Sequence, residues 1–171
     1  MDSGAHGTAR ESYFAVIRGP LGIGKTTVAE RLAARVGGEY LSIDRILDEP
    51  GMEEWEDGYV SLRSFLRVNE IAAGPARVSL AAGTPVILDG NFYYVAQIRD
   101  LIDRLPYLNF VFTLQAPLEV CLDRDRHRAR PLGEEGVRDV YAKSTSFEWG
   151  IGVDATHPLD RVVDQIRARL P

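Results

Sequence analysis

Four short apolar, partly β-branched runs recur at long intervals: Tyr13 to Ile17, Tyr40 to Ile43, Pro85 to Leu88 and Asn109 to Leu114. A weaker fifth lies at Ile151 to Val153. Their apolar character is continuous rather than alternating, as in strands of a parallel sheet covered on both faces. Segments of helical period separate them. Val28, Leu32 and Val36 recur every four residues, Ile98, Leu101, Ile102 and Leu105 share one face, and Leu159, Val162, Val163, Ile166 and Leu170 form a stripe behind His157-Pro158. Strands alternating with amphipathic helices predict an α/β fold. Its expected form is three layers, α/β/α, around a five-stranded parallel sheet with right-handed crossovers. The most polar stretches, Asp48 to Gly58 and Asp123 to Gly136, read as mobile segments that handle a substrate. Residues 1–11 are small, polar and aperiodic and read as a flexible tail, which leaves 12–171 as a single domain.

Composition narrows the class without naming an activity. A length of 171 residues with 45% hydrophobic side chains suffices for one domain with a real core. Twenty basic against 25 acidic side chains leave a net charge of −5, which argues against disorder and against a surface built to coat nucleic acid. Cys121, alone, can form neither an intrachain disulfide nor a Cys-based zinc site, so the expected setting is reducing and cytoplasmic. No apolar run approaches the roughly 20 residues that span a bilayer, so no membrane partner is expected.

The strongest chemical signal is Gly19-Pro20-Leu21-Gly22-Ile23-Gly24-Lys25-Thr26, which fits G-x-x-x-x-G-K-[ST] between a strand and a helix. Glycines let the backbone curl so that successive N–H groups converge on phosphate oxygens, and the helix adds its positive end. The expected triphosphate contacts are Gly19, Gly22, Ile23, Gly24, Lys25, Thr26 and Thr27. Lys25 carries charge to the β- and γ-phosphates and the Thr26 hydroxyl is a ligand for Mg²⁺. No N-K-x-D guanine-reading motif is present, and Asp89 is followed by Gly90 rather than by the Glu of oligomeric AAA ATPases, which points to a small kinase.

From about Tyr13 to the last helix, these features resemble the P-loop kinase superfamily of adenylate-kinase-like fold with a lid. Within it, the nearest likenesses are to small AAA-type predicted kinases, polynucleotide 5′-hydroxyl kinases and chloramphenicol phosphotransferase. The resemblance implies that Asp44, ending Leu41-Ser42-Ile43-Asp44, takes the proton of the attacking hydroxyl; capping the helix begun by Arg45-Ile46-Leu47 is its other reading. Polynucleotide kinases carry an arginine three residues beyond this aspartate, where this chain has Leu47. Asp89 in Leu88-Asp89-Gly90-Asn91 is expected to hold a Mg²⁺-bound water or to orient the substrate together with Asn91; a plain turn is the alternative. Arg124 and Arg128 match an R-x-x-x-R pattern whose first arginine flanks adenine and whose second, catalytic, clamps phosphates. Arg126 and Arg130 stand outside it, and His127 reads as a surface residue. Residues 124–137 correspond to the lid, and Thr156 in Val153-Asp154-Ala155-Thr156 either reads the base edge or belongs to a turn.

Residues 48–84 are the expected acceptor-binding insertion. Arg63 and Arg67, four apart, either receive an anionic group of the acceptor or form a solvated face. Phe92, Tyr93 and Tyr94 either stack on a ring or belong to the core. The resulting expectation is a monomeric or homodimeric, ATP- and Mg²⁺-dependent kinase in which Lys25, Asp44 and Arg128 are catalytic and the acceptor is a small hydroxyl-bearing molecule. A nucleic-acid 5′ end is the alternative acceptor, and a nucleotide-dependent regulatory module without transferase activity the alternative class.

Overall fold

Every residue of the first apolar run is buried, because β1 (Tyr13–Arg18) is the middle strand of the main sheet. The structure, a computed structural model, describes residues 12–171; the tail expected at 1–11 lies outside the described residues. After β1 the chain forms α1 (Lys25–Val36), β2 (Glu39–Ser42), α2 (Ile43–Leu47), β3 (Trp55–Glu56), β4 (Tyr59–Val60) and α3 (Leu62–Ala81). It continues through β5 (Val86–Asp89), α4 (Val95–Arg104), β6 (Leu108–Gln115), α5 (Leu118–Arg126), α6 (Glu134–Ser144), β7 (Ile151–Asp154) and α7 (Leu159–Arg167). The five predicted strands form one parallel sheet in the order β2-β5-β1-β6-β7.

Period-two side-chain alternation divides the core between the sheet faces. Ala15, Ile17, Ile87, Phe112 and Leu114 pack with Val28 and Leu32 of α1 and with Val163 and Ile166 of α7. Phe14, Val16, Val86, Leu88 and Val111 pack with Phe65, Val68 and Ala72 of α3 and with Ile98 and Leu101 of α4. Both faces are covered, which accounts for continuous rather than alternating apolar runs.

The insertion contains an antiparallel β3–β4 hairpin turning at Asp57-Gly58, with Asp57 at φ 52, and then the 20-residue α3. Ser61 starts that helix by accepting from the Ser64 N–H at 3.2 Å. The helix continues through Pro75, which is exposed, because Ala72, Ala73, Ala76 and Leu80 are buried on its other side. The loops after β1, β2 and β5 all leave the carboxyl edge of the sheet, where open parallel sheets form their ligand crevice.

Candidate active site

The loop between β1 and α1 packs closely on its surroundings. A Cβ on Gly22, at φ 76, would come within 2.9 Å of the Cys121 carbonyl oxygen, so no larger residue fits this curl. Gly19 lies against Leu114 of β6, and the buried Ile23 packs in the core while also lining the hollow beside Arg124. A cleft of about 310 Å³ is floored by Gly22, Gly24, Lys25, Thr26 and Thr27 and walled by Asp44, Arg124 and Arg128. Lys25 is only 7% exposed, and its Nζ donates to the Pro20 carbonyl at 3.0 Å. Burial lowers its pKa, an effect opposed by the nearby Asp44 and Asp89 carboxylates.

Asp89, at the end of β5, is fully buried yet doubly bonded. Thr26 Oγ1 donates to its Oδ2 and the Tyr40 hydroxyl to its Oδ1, each at 2.8 Å. Burial and that bond push the Tyr40 phenol up to about 12. Asp89 is thus fixed beside the P-loop and is not a plain turn residue. The pair of hydroxyl and carboxylate oxygens suits a hard cation such as Mg²⁺. Among the described residues there is no cluster of three or more His, Cys, Asp or Glu side chains that could hold a metal ion.

The capping reading of Asp44 is corrected by the structure. Ser42 caps α2, its side chain accepting from the Arg45 N–H at 3.3 Å, and Asp44 stands inside the helix, one position past its start. Hydrogen bonding by Ser42 at the strand end starts the helix two residues earlier and turns the Asp44 carboxylate into the cleft. There Asp44 Oδ1 accepts from the Asn91 backbone N–H at 2.9 Å. Gly90 permits that approach, since a Cβ at this position would come within 2.6 Å of Ile43 Cβ. Burial raises the Asp44 pKa, opposed by the Lys25 charge and the Asn91 N–H.

On the opposite wall Arg124 joins two loops, donating to the Ile23 carbonyl and to the Ala155 carbonyl at 3.0 Å each. It also borders a second hollow of about 220 Å³ lined by Val28, Ala155 and His157. Thr156 does not line that hollow. Its hydroxyl and N–H both donate to Asp154 Oδ1, at 2.6 and 2.9 Å, an arrangement that closes a turn. Arg128 lies at the cleft edge and bonds Asp125 at 3.4 Å. Arg126 approaches Glu134 at 4.0 Å, Arg130 is exposed, and the exposed His127 sits against the Asp123 carbonyl.

Arg63 and Arg67 lie apart from the cleft. Both pair with Glu54, at 3.6 and 3.3 Å, on an exposed face, and neither lines the cleft. The chain before the hairpin brings Glu54 to α3, where its carboxylate bonds Arg67 and lies near the exposed Arg63. Other site residues carried weak signals in the sequence. Asp125 is buried and holds the base of the 127–133 segment by accepting from the Leu132 and Gly133 N–H groups at 3.1 and 3.0 Å. Arg18 is fully buried and donates to Thr113 Oγ1, to the Phe92 carbonyl and to the Ser144 carbonyl at 2.7 Å. Its guanidinium lies 4.3 Å from the Phe147 ring centroid, and burial lowers its pKa to about 10. An arginine ending an otherwise apolar strand was the available sign.

A family model described as an AAA domain matches residues 15–145, most of the chain. The chain belongs to the AAA domain family. Like this AAA domain protein, several solved structures share the fold. A sugar kinase from Janibacter sp. has a TM-score of 0.76 at 20% identity, over 92% of this chain and 93% of its own. A gluconokinase from Sinorhizobium meliloti has a TM-score of 0.70 at 17% identity, over 93% and 91%. The tunicamycin resistance protein of Deinococcus radiodurans has a TM-score of 0.67 at 25% identity, over 93% and 95%. In sequence, the AAA domain protein is 25% identical to the deoxyguanosine kinase of Bacillus subtilis, over 86% of this chain and 81% of that one. Its fold is that of the P-loop kinase superfamily. Among the described residues no helix is long and apolar enough to cross a membrane.

Proposed function

We propose that this protein is an ATP- and Mg²⁺-dependent kinase that phosphorylates a hydroxyl group of a small acceptor. The observation that carries this reading is the Asp44 carboxylate, borne on α2 and bonded by Asn91, in the wall of the cleft floored by Lys25 and Thr26. A purely regulatory nucleotide-binding module has no use for a carboxylate there. The names of the similar proteins, a deoxyguanosine kinase, a sugar kinase and a gluconokinase, support the same class.

The loop N–H groups and Lys25 bind the triphosphate, and Lys25 leaves the Pro20 carbonyl to do so. Thr26 and Asp89 would hold Mg²⁺, which supplies charge neutralisation between the phosphates. Arg124 flanks the base, and Arg128 turns from Asp125 to the transferring group. Asp44 accepts the acceptor's proton as the hydroxyl oxygen bonds to the γ-phosphorus; the bond from that phosphorus to the β–γ bridging oxygen breaks and ADP leaves. Positioning and electrostatics supply most of the acceleration. A long polyanionic acceptor fits poorly, because Arg63 and Arg67 are engaged by Glu54 and the neighbouring hairpin carries Glu53, Glu56 and Asp57.

Phosphoryl transfer from ATP to a panel of hydroxyl acceptors tests the reading in the wild type, Lys25→Ala and Asp44→Asn. Lys25→Ala is expected to lose ATP binding, and Asp44→Asn to bind ATP but lose transfer. Full transfer by Asp44→Asn removes Asp44 as the base.

A further inference from the structure

Two polar side chains on the segment after β5, which meets Asp44 at Asn91, have no hydrogen-bond partner among the described residues. The Asn91 backbone is committed, its N–H to Asp44 and its carbonyl to Gln97, but its carboxamide makes no hydrogen bond to any described residue, and Oδ1 is buried. Tyr93, two residues on, is 8% exposed, and its hydroxyl likewise bonds no described residue. The ring is fixed by edge contacts with Tyr59 and Phe65, whose centroids lie 6.2 and 5.5 Å away. Burial raises the pKa of that phenol, and the Asp44 charge adds to the effect. A buried carboxamide oxygen such as Asn91 Oδ1 is normally satisfied in a folded protein. Nothing in triphosphate binding uses these two.

We infer that the Asn91 carboxamide and the Tyr93 hydroxyl bind hydroxyl groups next to the one attacked, so that the acceptor is an uncharged vicinal polyol of the sugar class. This deepens the kinase reading and rests on it. A carboxamide and a phenol each donate and accept, and so does a hydroxyl, whereas a carboxylate or phosphate only accepts. The cations that line the cleft with Asp44, namely Lys25, Arg124 and Arg128, are assigned to the nucleotide in this reading; among the other described cations nearby, Arg63 and Arg67 pair with Glu54 and the Lys143 ammonium lies over the Tyr59 and Tyr94 rings at 4.8 and 4.6 Å. The Asn91 backbone N–H bonds the Asp44 carboxylate, so the residue that carries the carboxamide adjoins the group on which the attacking hydroxyl would sit.

The test compares ATP-dependent phosphorylation of D-ribose and D-glucose with that of their 2-deoxy counterparts, D-gluconate, deoxyguanosine and propan-1-ol. The expected result is a kcat/KM for a polyol about tenfold or more above its deoxy counterpart. Tyr93→Phe, which keeps the buried ring, and Asn91→Ala should each shrink that ratio to about twofold, chiefly through the acceptor KM, with the KM for ATP unchanged. Deoxyguanosine, gluconate or propanol used as well as the polyols overturns the inference alone, as does a ratio that survives Tyr93→Phe and Asn91→Ala. Binding of a non-hydrolysable ATP analogue without Asp44-dependent transfer to any of these compounds overturns the kinase reading as well.

Discussion

Asp44 illustrates how one carboxylate couples stability to chemistry. Burial raises its pKa in the fold, so the native state holds this proton more tightly than the unfolded chain does. The stabilisation is full below the ordinary carboxylate value and is lost as pH rises through the folded value. The ionised form therefore weakens the fold at neutral pH, with Lys25 offsetting part of the effect. Asp44→Asn should melt no lower than the wild type at pH 7, an advantage that narrows toward pH 4, while its transfer rate falls by about 10²- to 10⁴-fold. The wild-type kcat should decline on the acid side at a pH above the usual carboxylate range. Calorimetry at the two pH values and a kcat profile check this; a lower melting temperature for Asp44→Asn at pH 7 would show that its pairing with Lys25 outweighs burial. Lys25, Thr26 and Asp89 were legible from the motif and strand end. Arg18 was not, because its partners at Phe92, Thr113 and Ser144 are brought together only by folding.

At the scale of elements, the segment between α5 and α6 depends on Asp125. Its carboxylate is pulled below the ordinary range: burial opposes this, but the Leu132 and Gly133 N–H groups and Arg128 prevail. Asp125→Asn replaces one acceptor by a donor facing those N–H groups, a loss of about 1–3 kcal/mol. Local opening should become correspondingly easier. Trypsin cleavage after Arg126 or Arg128 is then expected to accelerate about tenfold or more, and a non-hydrolysable ATP analogue to slow it in the wild type. Equal cleavage rates in wild type and variant would remove Asp125 as the anchor. The β3–β4 hairpin shows the other side of legibility. Asp57-Gly58 between Trp55-Glu56 and Tyr59-Val60 is a local turn signal. That the hairpin then aligns Glu54 with Arg63 and Arg67 follows from how it lies on α3, and sequence spacing does not carry this information.

In the whole molecule, the cleft is assembled from loops at one edge of a sheet with a hydrophobic core on each face. Occupying it should stabilise the entire fold. A non-hydrolysable ATP analogue with Mg²⁺ at 100 times its Kd contributes about 2.7 kcal/mol. For a domain of this size each kcal/mol raises Tm by about 2–4 °C, so a rise of about 5–11 °C is expected in the wild type and none in Lys25→Ala. An equal shift in both proteins would mean that the analogue binds elsewhere. The sequence by itself determined the parallel strands, their helices and the phosphate loop, since continuous apolar runs, a 3.6-residue period and a glycine-lysine motif are local patterns. It also marked Asp44 and Asp89 as strand-end carboxylates. Tertiary structure alone decided that Ser42 rather than Asp44 caps α2, that Glu54 pairs with Arg63 and Arg67, that Asp154 takes Thr156, and that the buried Asn91 Oδ1 finds no partner among the described residues. The reason is competition: each polar side chain has several possible partners along the chain, and packing the cores fixes which of them comes within hydrogen-bond reach.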